Sequence, residues 1–168
     1  MPYAEDFDLW WRIMSSNNKI GHLEEILCNY RLSESSISNV VKKKENYDTT
    51  TNIMLRNIKF YTGTGFKVSP EEAEALRHNF IPLEKEKNVF KLVRFMNKID
   101  FINKCIFEKE NLNYTSSEIQ QFAKIKREEA MYYFYVRLPK WKSLYFLLRT
   151  APFAVIIRRF LHSLKISS

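Results

Sequence analysis

The strongest constraint on the fold is the set of helix start signals and apolar stripes between Ser69 and Leu138. Ser69-Pro70-Glu71-Glu72 places a capping hydroxyl before a first-turn proline and acids, which satisfies the unpaired amides of a helix N-terminus. Thr115-Ser116-Ser117-Glu118 repeats the hydroxyl-to-glutamate spacing. The first signal predicts a helix to about Asn79, broken by Pro82. The second predicts one to about Leu138, ended by Pro139. Between them, Phe90, Val93, Phe95, Ile99, Ile102 and Ile106 form one stripe, so Leu83 to about Glu110 reads as a single helix. Upstream, a helix capped by Ser38 or Asn39 continues through Tyr47, Ile53, Met54, Ile58 and Tyr61. Thr62-Gly63-Thr64-Gly65 ends it as a turn. Its G-x-G has no preceding strand and no third glycine, so it is not read as a phosphate loop.

Composition agrees with a mainly α chain. Only 3 Gly and 5 Pro in 168 residues argue against a loop-rich β protein, and 45% hydrophobic residues exclude a disordered one. The length suits one domain with a real core. Cys28 and Cys105 lie far apart in apolar contexts and read as reduced core residues of a cytosolic protein. His22, His78 and His162 are isolated, so no histidine-based zinc site is visible. Met1-Pro2-Tyr3 runs straight into acids and does not read as a secretory leader. No apolar run reaches the roughly 18 residues needed to span a bilayer.

The net charge of +8 is uneven: residues 137–168 hold seven Lys and Arg and no acid. Such a basic tail points to an anionic surface. The segment 139–168 interleaves these charges with Trp141, Leu144, Leu148, Phe153, Ile157 and Phe160, with Pro152 as a break. Broad apolar faces, basic edges and a tryptophan near one end describe an interfacial helix. Trp141, Arg149, Arg158 and Arg159 are its expected membrane contacts. The alternative is that these helices pack on the body with their charges solvated. Dense aliphatics argue against a nucleic-acid surface, which favours polar groups and stacking rings. The cluster Tyr132-Tyr133-Phe134-Tyr135 reads as interhelix packing or an interfacial belt.

At the other end, Glu5, Asp6 and Asp8 stand against Trp10 and Trp11. Residues 4–17 read as a helix, with Phe7, Trp10, Trp11 and Met14 at helical spacing. Neighbouring carboxylates raise one another's proton affinity and suit general-base work. A tryptophan face beside acids suits a sugar. The alternative is an acidic helix N-terminus favoured by the dipole, with core tryptophans. Lys19 to Leu32 reads as one or two strands, on the alternation of Ile26, Cys28 and Tyr30.

The order Glu-Asp-x-Asp-Leu-Trp, Arg12, Gly21, an apolar strand, Tyr30-Arg31 and Ser36-x-Ser38 resembles the end of a GT-A catalytic domain. The similar family is the inverting, nucleotide-sugar-dependent glycosyltransferases of family 2, which build bacterial capsule, O-antigen and exopolysaccharide. The resemblance covers roughly Tyr3 to Ser38. It implies Asp6 as general base, with Glu5 orienting the acceptor or raising the base's proton affinity. Asp8, Trp10, Trp11, Arg31 and Ser36 would bind substrate, Arg31 and Ser36 near the leaving diphosphate. A histidine usual in the family after Tyr-Arg is replaced by Ser33, a poorer ligand. The family's nucleotide-binding half, which mainly holds Mg²⁺ or Mn²⁺, has no room before Ala4.

The expected architecture is therefore mainly α. Residues 1–40 are the remnant of a GT-A α/β domain, 41–138 a helical extension, and 139–168 basic membrane-surface helices. The expected function is a glycosyltransferase fragment for cell-surface polysaccharide, inactive alone. Its expected place is cytoplasmic, peripheral at the inner face of the cell membrane. Its partners would be a nucleotide sugar, a glycan acceptor and a complementing N-terminal half, with no nucleic acid. Mg²⁺ or Mn²⁺ is expected in the intact enzyme and no cofactor for this chain alone. The alternative is a non-enzymatic helical module for a membrane surface or partner.

Overall fold

A computed structural model describes residues 4–16, 18–21, 23–27, 29 and 43–151, with side chains from residue 48 onward in the second helix. Among the described residues there are seven helices and no strand: α1 (Glu5–Ser15), α2 (Lys43–Thr62), α3 (Pro70–Leu76), α4 (Ile81–Lys85), α5 (Val89–Phe107), α6 (Ser116–Arg137) and α7 (Lys140–Thr150).

Their ends follow local chemistry. Ser69 and Thr115 both form the reciprocal capping box. The Glu72 amide donates to Ser69 Oγ at 3.2 Å, while the Ser69 amide donates to Glu72 Oε2 at 2.8 Å. α2 stops at Gly63, whose φ of +85° is open to glycine at little steric cost. α3 ends in a Schellman arrangement: the amides of His78 and Asn79 donate to the carbonyls of Ala75 and Glu74. His78 takes the left-handed position at φ 67°.

The expected single helix Leu83–Glu110 is two helices. Lys87 adopts φ 49°, and Asn88 caps α5 by accepting from the amides of Phe90 and Lys91. Apolar spacing runs through this break because Leu83, Val89 and Leu92 all reach one core. Pro82 does not simply break a helix; it lies in the first turn of α4, where a missing amide is not needed.

α5 is the central element, packed on α2, α6 and α7, while α3 bridges α2 and α4. Val89, Leu92, Phe95, Met96, Ile99 and Ile102 bury one face of it. Phe134 of α6 and Phe146 of α7 complete the core from the other side. Phe134 meets Phe80, Phe95 and Phe146 edge-on, with centroids 5.5, 6.1 and 6.2 Å away. Within the aromatic cluster, Phe134 is core, Tyr133 is half-buried on Phe80, and Tyr132 is exposed.

Two buried carboxylates lock α3 in place. Glu74 accepts from Thr51 Oγ1 (2.9 Å), Arg77 Nη1 (2.9 Å) and Asn79 Nδ2 (3.2 Å). Glu72 pairs with Lys98 of α5 at 2.6 Å. Buried charges persist only when paired in this way.

The segment 140–150 packs against α5 and α6. The Ser143 hydroxyl closes the α6–α7 corner by donating to the carbonyls of Tyr135 and Leu138, each at 2.9 Å. Arg127 of α6 holds Asp100 of α5 through two nitrogens and also donates to the Thr150 carbonyl at the end of α7. With Phe146 fully buried, the segment 140–150 belongs to the body. Pro152 and the rest of the tail lie outside the described residues.

The strand expected over Lys19–Leu32 is corrected, for its described part. Residues 18–21, 23–27 and 29 form no ladder, and Ile26 is 89% exposed. Period-two alternation makes a strand only beside a partner strand, and the described residues supply none. What holds this segment is Asn113, whose side chain accepts from the Ile20 amide (2.7 Å) and donates to the Asn18 carbonyl (3.0 Å).

Candidate functional site

Among the described helices α1 packs chiefly on α2, with Phe7 also 5.8 Å from the Arg77 guanidinium at the end of α3, and this divides its acids between two faces. Phe7, Asp8, Trp11, Met14 and Ser15 turn inward at i, i+3, i+4 spacing, while Glu5, Asp6, Leu9 and Trp10 are exposed. Trp11 packs edge-on against Phe7 and Tyr61, at 6.3 and 6.5 Å. It is a packing residue of the α1–α2 seam.

Asp8 is bound from two sides, by Arg56 of α2 at 2.5 Å and by Arg12 at 3.1 Å. The Arg56 hydrogen bond holds its carboxyl below the usual 3.8, and the charges of Arg56 and Arg12 act in the same direction. It therefore stays ionised and makes a poor proton acceptor. Asp6 is different. Its carboxylate accepts from the next amide, Phe7, at 2.7 Å, and among the described residues neither it nor Glu5 has an ion-pair partner. Trp10, 52% exposed and one turn from Asp6, completes an outer surface of two acids and one indole. Asp6 and Asp8, two residues apart, do not share a face.

Asp8 is consumed by two arginines, and no group of three His, Cys, Asp or Glu converges among the described residues. The described residues do not fit Mg²⁺ or Mn²⁺. Arg31, Ser36, Arg158 and Arg159 lie outside the described residues, as does Cys28. Cys105 is a partly buried free thiol.

A second candidate lies away from the acids of α1, among α4 to α7. α4, α5, α6 and α7 enclose a cleft of about 440 Å³. Ile81, Leu92, Phe134, Leu138 and Pro139 supply its apolar wall. Among the described residues Lys85, Lys87, Arg137 and Lys142 supply four cations, against the single acid Glu84. Glu84 is already engaged: the Tyr133 hydroxyl donates to it at 2.6 Å, and Arg137 lies 3.7 Å from the same oxygen. Burial first, and then the Glu84 bond, push the Tyr133 phenol up, so it stays a neutral donor. The Arg137 guanidinium lies 3.8 Å above the Tyr133 ring, and Lys142 donates to the Lys87 carbonyl at 3.0 Å.

Beside this cleft, α7 carries an outer stripe at i, i+3, i+7. Trp141, Leu144 and Leu148 are 68%, 58% and 56% exposed, and Lys140 and Arg149 are exposed beside them. Trp141 and Arg149, expected from the sequence to be membrane contacts, are exposed here. Sequence reasoning missed Lys85 and Lys87, because α4 brings them to the cleft from outside the basic tail. The mixed signs of Glu84-Lys85-Glu86-Lys87 gave no signal in the sequence. No described helix is long and apolar enough to cross a membrane.

Neither a family model, nor a curated protein, nor a solved structure matches this chain.

Proposed function

We propose that these residues are the acceptor-side part of an inverting, family-2-like glycosyltransferase for cell-surface polysaccharide. Its nucleotide-binding half lies outside the 168 residues. The observation that carries this reading is the division of acids on α1. Asp8 is neutralised inward by Arg12 and Arg56, while Glu5, Asp6 and Trp10 stand together on the exposed face. A general base must reach its acceptor and must not be held as an ion pair. Asp6 meets both needs and Asp8 neither. In this reading Asp6 takes the proton of the acceptor hydroxyl. Glu5 orients the acceptor, and the Trp10 indole lies along a sugar face. The exposed Leu23, Ile26 and Leu27 become buried against the sheet of the other half. Arg31 and Ser36 belong near the leaving diphosphate. The enzyme is peripheral at the inner face of the membrane, held through α7.

Two measurements test it. Calorimetry of the isolated chain with uridine and guanosine diphosphate sugars is expected to show no micromolar binding, because the nucleotide contacts belong to the other half. With that half supplied by fusion or co-expression, Asp6→Asn is expected to lower sugar transfer by about 10²–10⁴-fold with donor affinity unchanged. Transfer untouched by Asp6→Asn would leave α1 as an acidic helix start and nothing more.

A second reading, a non-enzymatic membrane-surface module, is favoured by the α7 stripe. It needs no catalytic acid. It is the right one if sugar transfer never appears while vesicle binding through Trp141 and Leu148 does.

A further inference from the structure

We propose that the cleft between α4, α5, α6 and α7 seats the headgroup of one anionic phospholipid, so that the protein recognises a specific lipid as well as a charged surface. The inference rests on the reading that α7 meets a membrane, and extends it to a ligand site.

Three observations converge on that occupant. The cleft joins an apolar wall of Ile81, Leu92, Phe134 and Leu138 to four cations, which fits an anion carrying an apolar chain. A free phosphate would use the cations and leave the wall empty. Most of this charge is uncompensated: among the described lining residues Glu84 is the single acid, and it already pairs with Arg137 and accepts from Tyr133. Lys85, Lys87 and Lys142 are left to meet an incoming phosphodiester, which accepts such charge-assisted bonds well. Finally, the cleft adjoins the stripe expected to face the bilayer. Lys142 lines the cleft, and its ammonium lies 5.4 Å from the ring of Trp141. With Trp141, Leu144 and Leu148 at the headgroup boundary, a lipid beside them reaches the cations without leaving the leaflet.

The seat is held rigidly. Phe134 is fully buried, Ser143 fixes the α6–α7 corner, and Lys142 ties α7 to the Lys87 carbonyl. Lys87 faces the cleft from a left-handed backbone position at the end of α4, which the Lys142 contact braces.

The test uses the full chain and dihexanoyl phosphatidylglycerol below its micelle concentration, so that no membrane is present. Nuclear magnetic resonance titration is expected to show saturable one-to-one binding, with shifts confined to Ile81, Leu92, Leu138 and their neighbours. Dihexanoyl phosphatidylcholine and inorganic phosphate are each expected to bind at least about tenfold more weakly, since each lacks net charge or chain. Lys85→Gln and Lys87→Gln, both at exposed positions, are each expected to weaken binding by about tenfold while the melting temperature holds. Trp141→Ser with Leu148→Ser is expected to abolish binding to phosphatidylglycerol vesicles and leave the soluble lipid bound. Phosphate binding as tightly as the lipid, equal binding of the two lipids, or shifts elsewhere would overturn the proposal. Vesicle binding indifferent to Trp141 and Leu148 would instead remove the α7 membrane reading, with the soluble-lipid result still judging the cleft.

Discussion

Phe146→Ala separates a seated α7 from a detachable tail. Phe146 is 0% exposed and meets Phe134, itself ringed by Phe80 and Phe95. Truncating a fully buried phenylalanine removes its transfer energy and leaves a cavity, together about 3–5 kcal/mol. A domain of this kind holds roughly 5–15 kcal/mol in total, so the variant is expected to lose a large share of its stability. Phe146→Leu keeps most of the volume and is expected to cost no more than about 1.5 kcal/mol. Leu144→Ala, at an exposed position on the same helix, is expected to stay within about 0.5 kcal/mol of the parent. Guanidinium unfolding followed by far-ultraviolet circular dichroism gives the three values, with the slope checked for constancy. If Phe146→Ala matched Leu144→Ala, α7 would not be seated between α5 and α6. The result also governs the membrane test. Removing everything from Lys140 onward empties the Phe146 seat and unties Arg127 from Thr150, so lost vesicle binding would report misfolding. Substitutions on the outer stripe avoid that.

Two other outcomes follow from the ion pairs. Arg127→Ala removes hydrogen bonds to Asp100 and to the end of α7 and is expected to cost about 1.5–3 kcal/mol, toward the lower value because Asp100 is 44% exposed; a double-mutant cycle with Asp100→Ala is expected to return a favourable coupling, and a coupling of zero would refute the clamp. Asp8 has a lowered carboxyl, chiefly through Arg56, so its contribution to holding α1 is complete above the ordinary 3.8 and is lost as the pH falls through the depressed value. Trp11 fluorescence, with Trp10 and Trp141 replaced by Phe, is expected to report that release in acid, and Arg56→Gln is expected to produce it already at neutral pH.

The helices were legible where their signals are local. Ser69 and Thr115 announce α3 and α6 because a capping box is a property of four consecutive residues. The break before α5 was hidden because it uses neither glycine nor proline. Lys87 takes the left-handed position itself, and Asn88 serves as cap within an otherwise continuous apolar spacing. The strand over Lys19–Leu32 misled for the opposite reason. Its alternation is a local pattern, but a strand is made by a neighbour, and Ile26 stands in solvent among the described residues. On α1 the helix itself was legible and its chemistry only partly so. Spacing separates Asp6 from Asp8, yet the neutralisation of Asp8 depends on Arg56 from another helix.

The basic tail shows the same divide between composition and geometry. In the sequence, α7 is simply apolar and cationic, and both membrane contact and packing on the body fit that description. Folding assigns the two roles to different residues of one helix. Phe146 faces the core, Trp141, Leu144 and Leu148 face out, and Lys142 turns aside to the cleft. The cations that matter then cease to be those that are adjacent in sequence. Lys85 and Lys87 come from a segment balanced by Glu84 and Glu86 and contribute nothing to the charge asymmetry, yet they stand opposite Arg137 and Lys142. Glu84 does not cancel them, because it is one charge and already pairs with Arg137 while accepting from Tyr133. A run of like charges predicts attraction to any anionic surface. Four cations around an apolar wall, with their one acid engaged, predict a preference among anions, and that preference is the measurable difference between a sticky tail and a binding site.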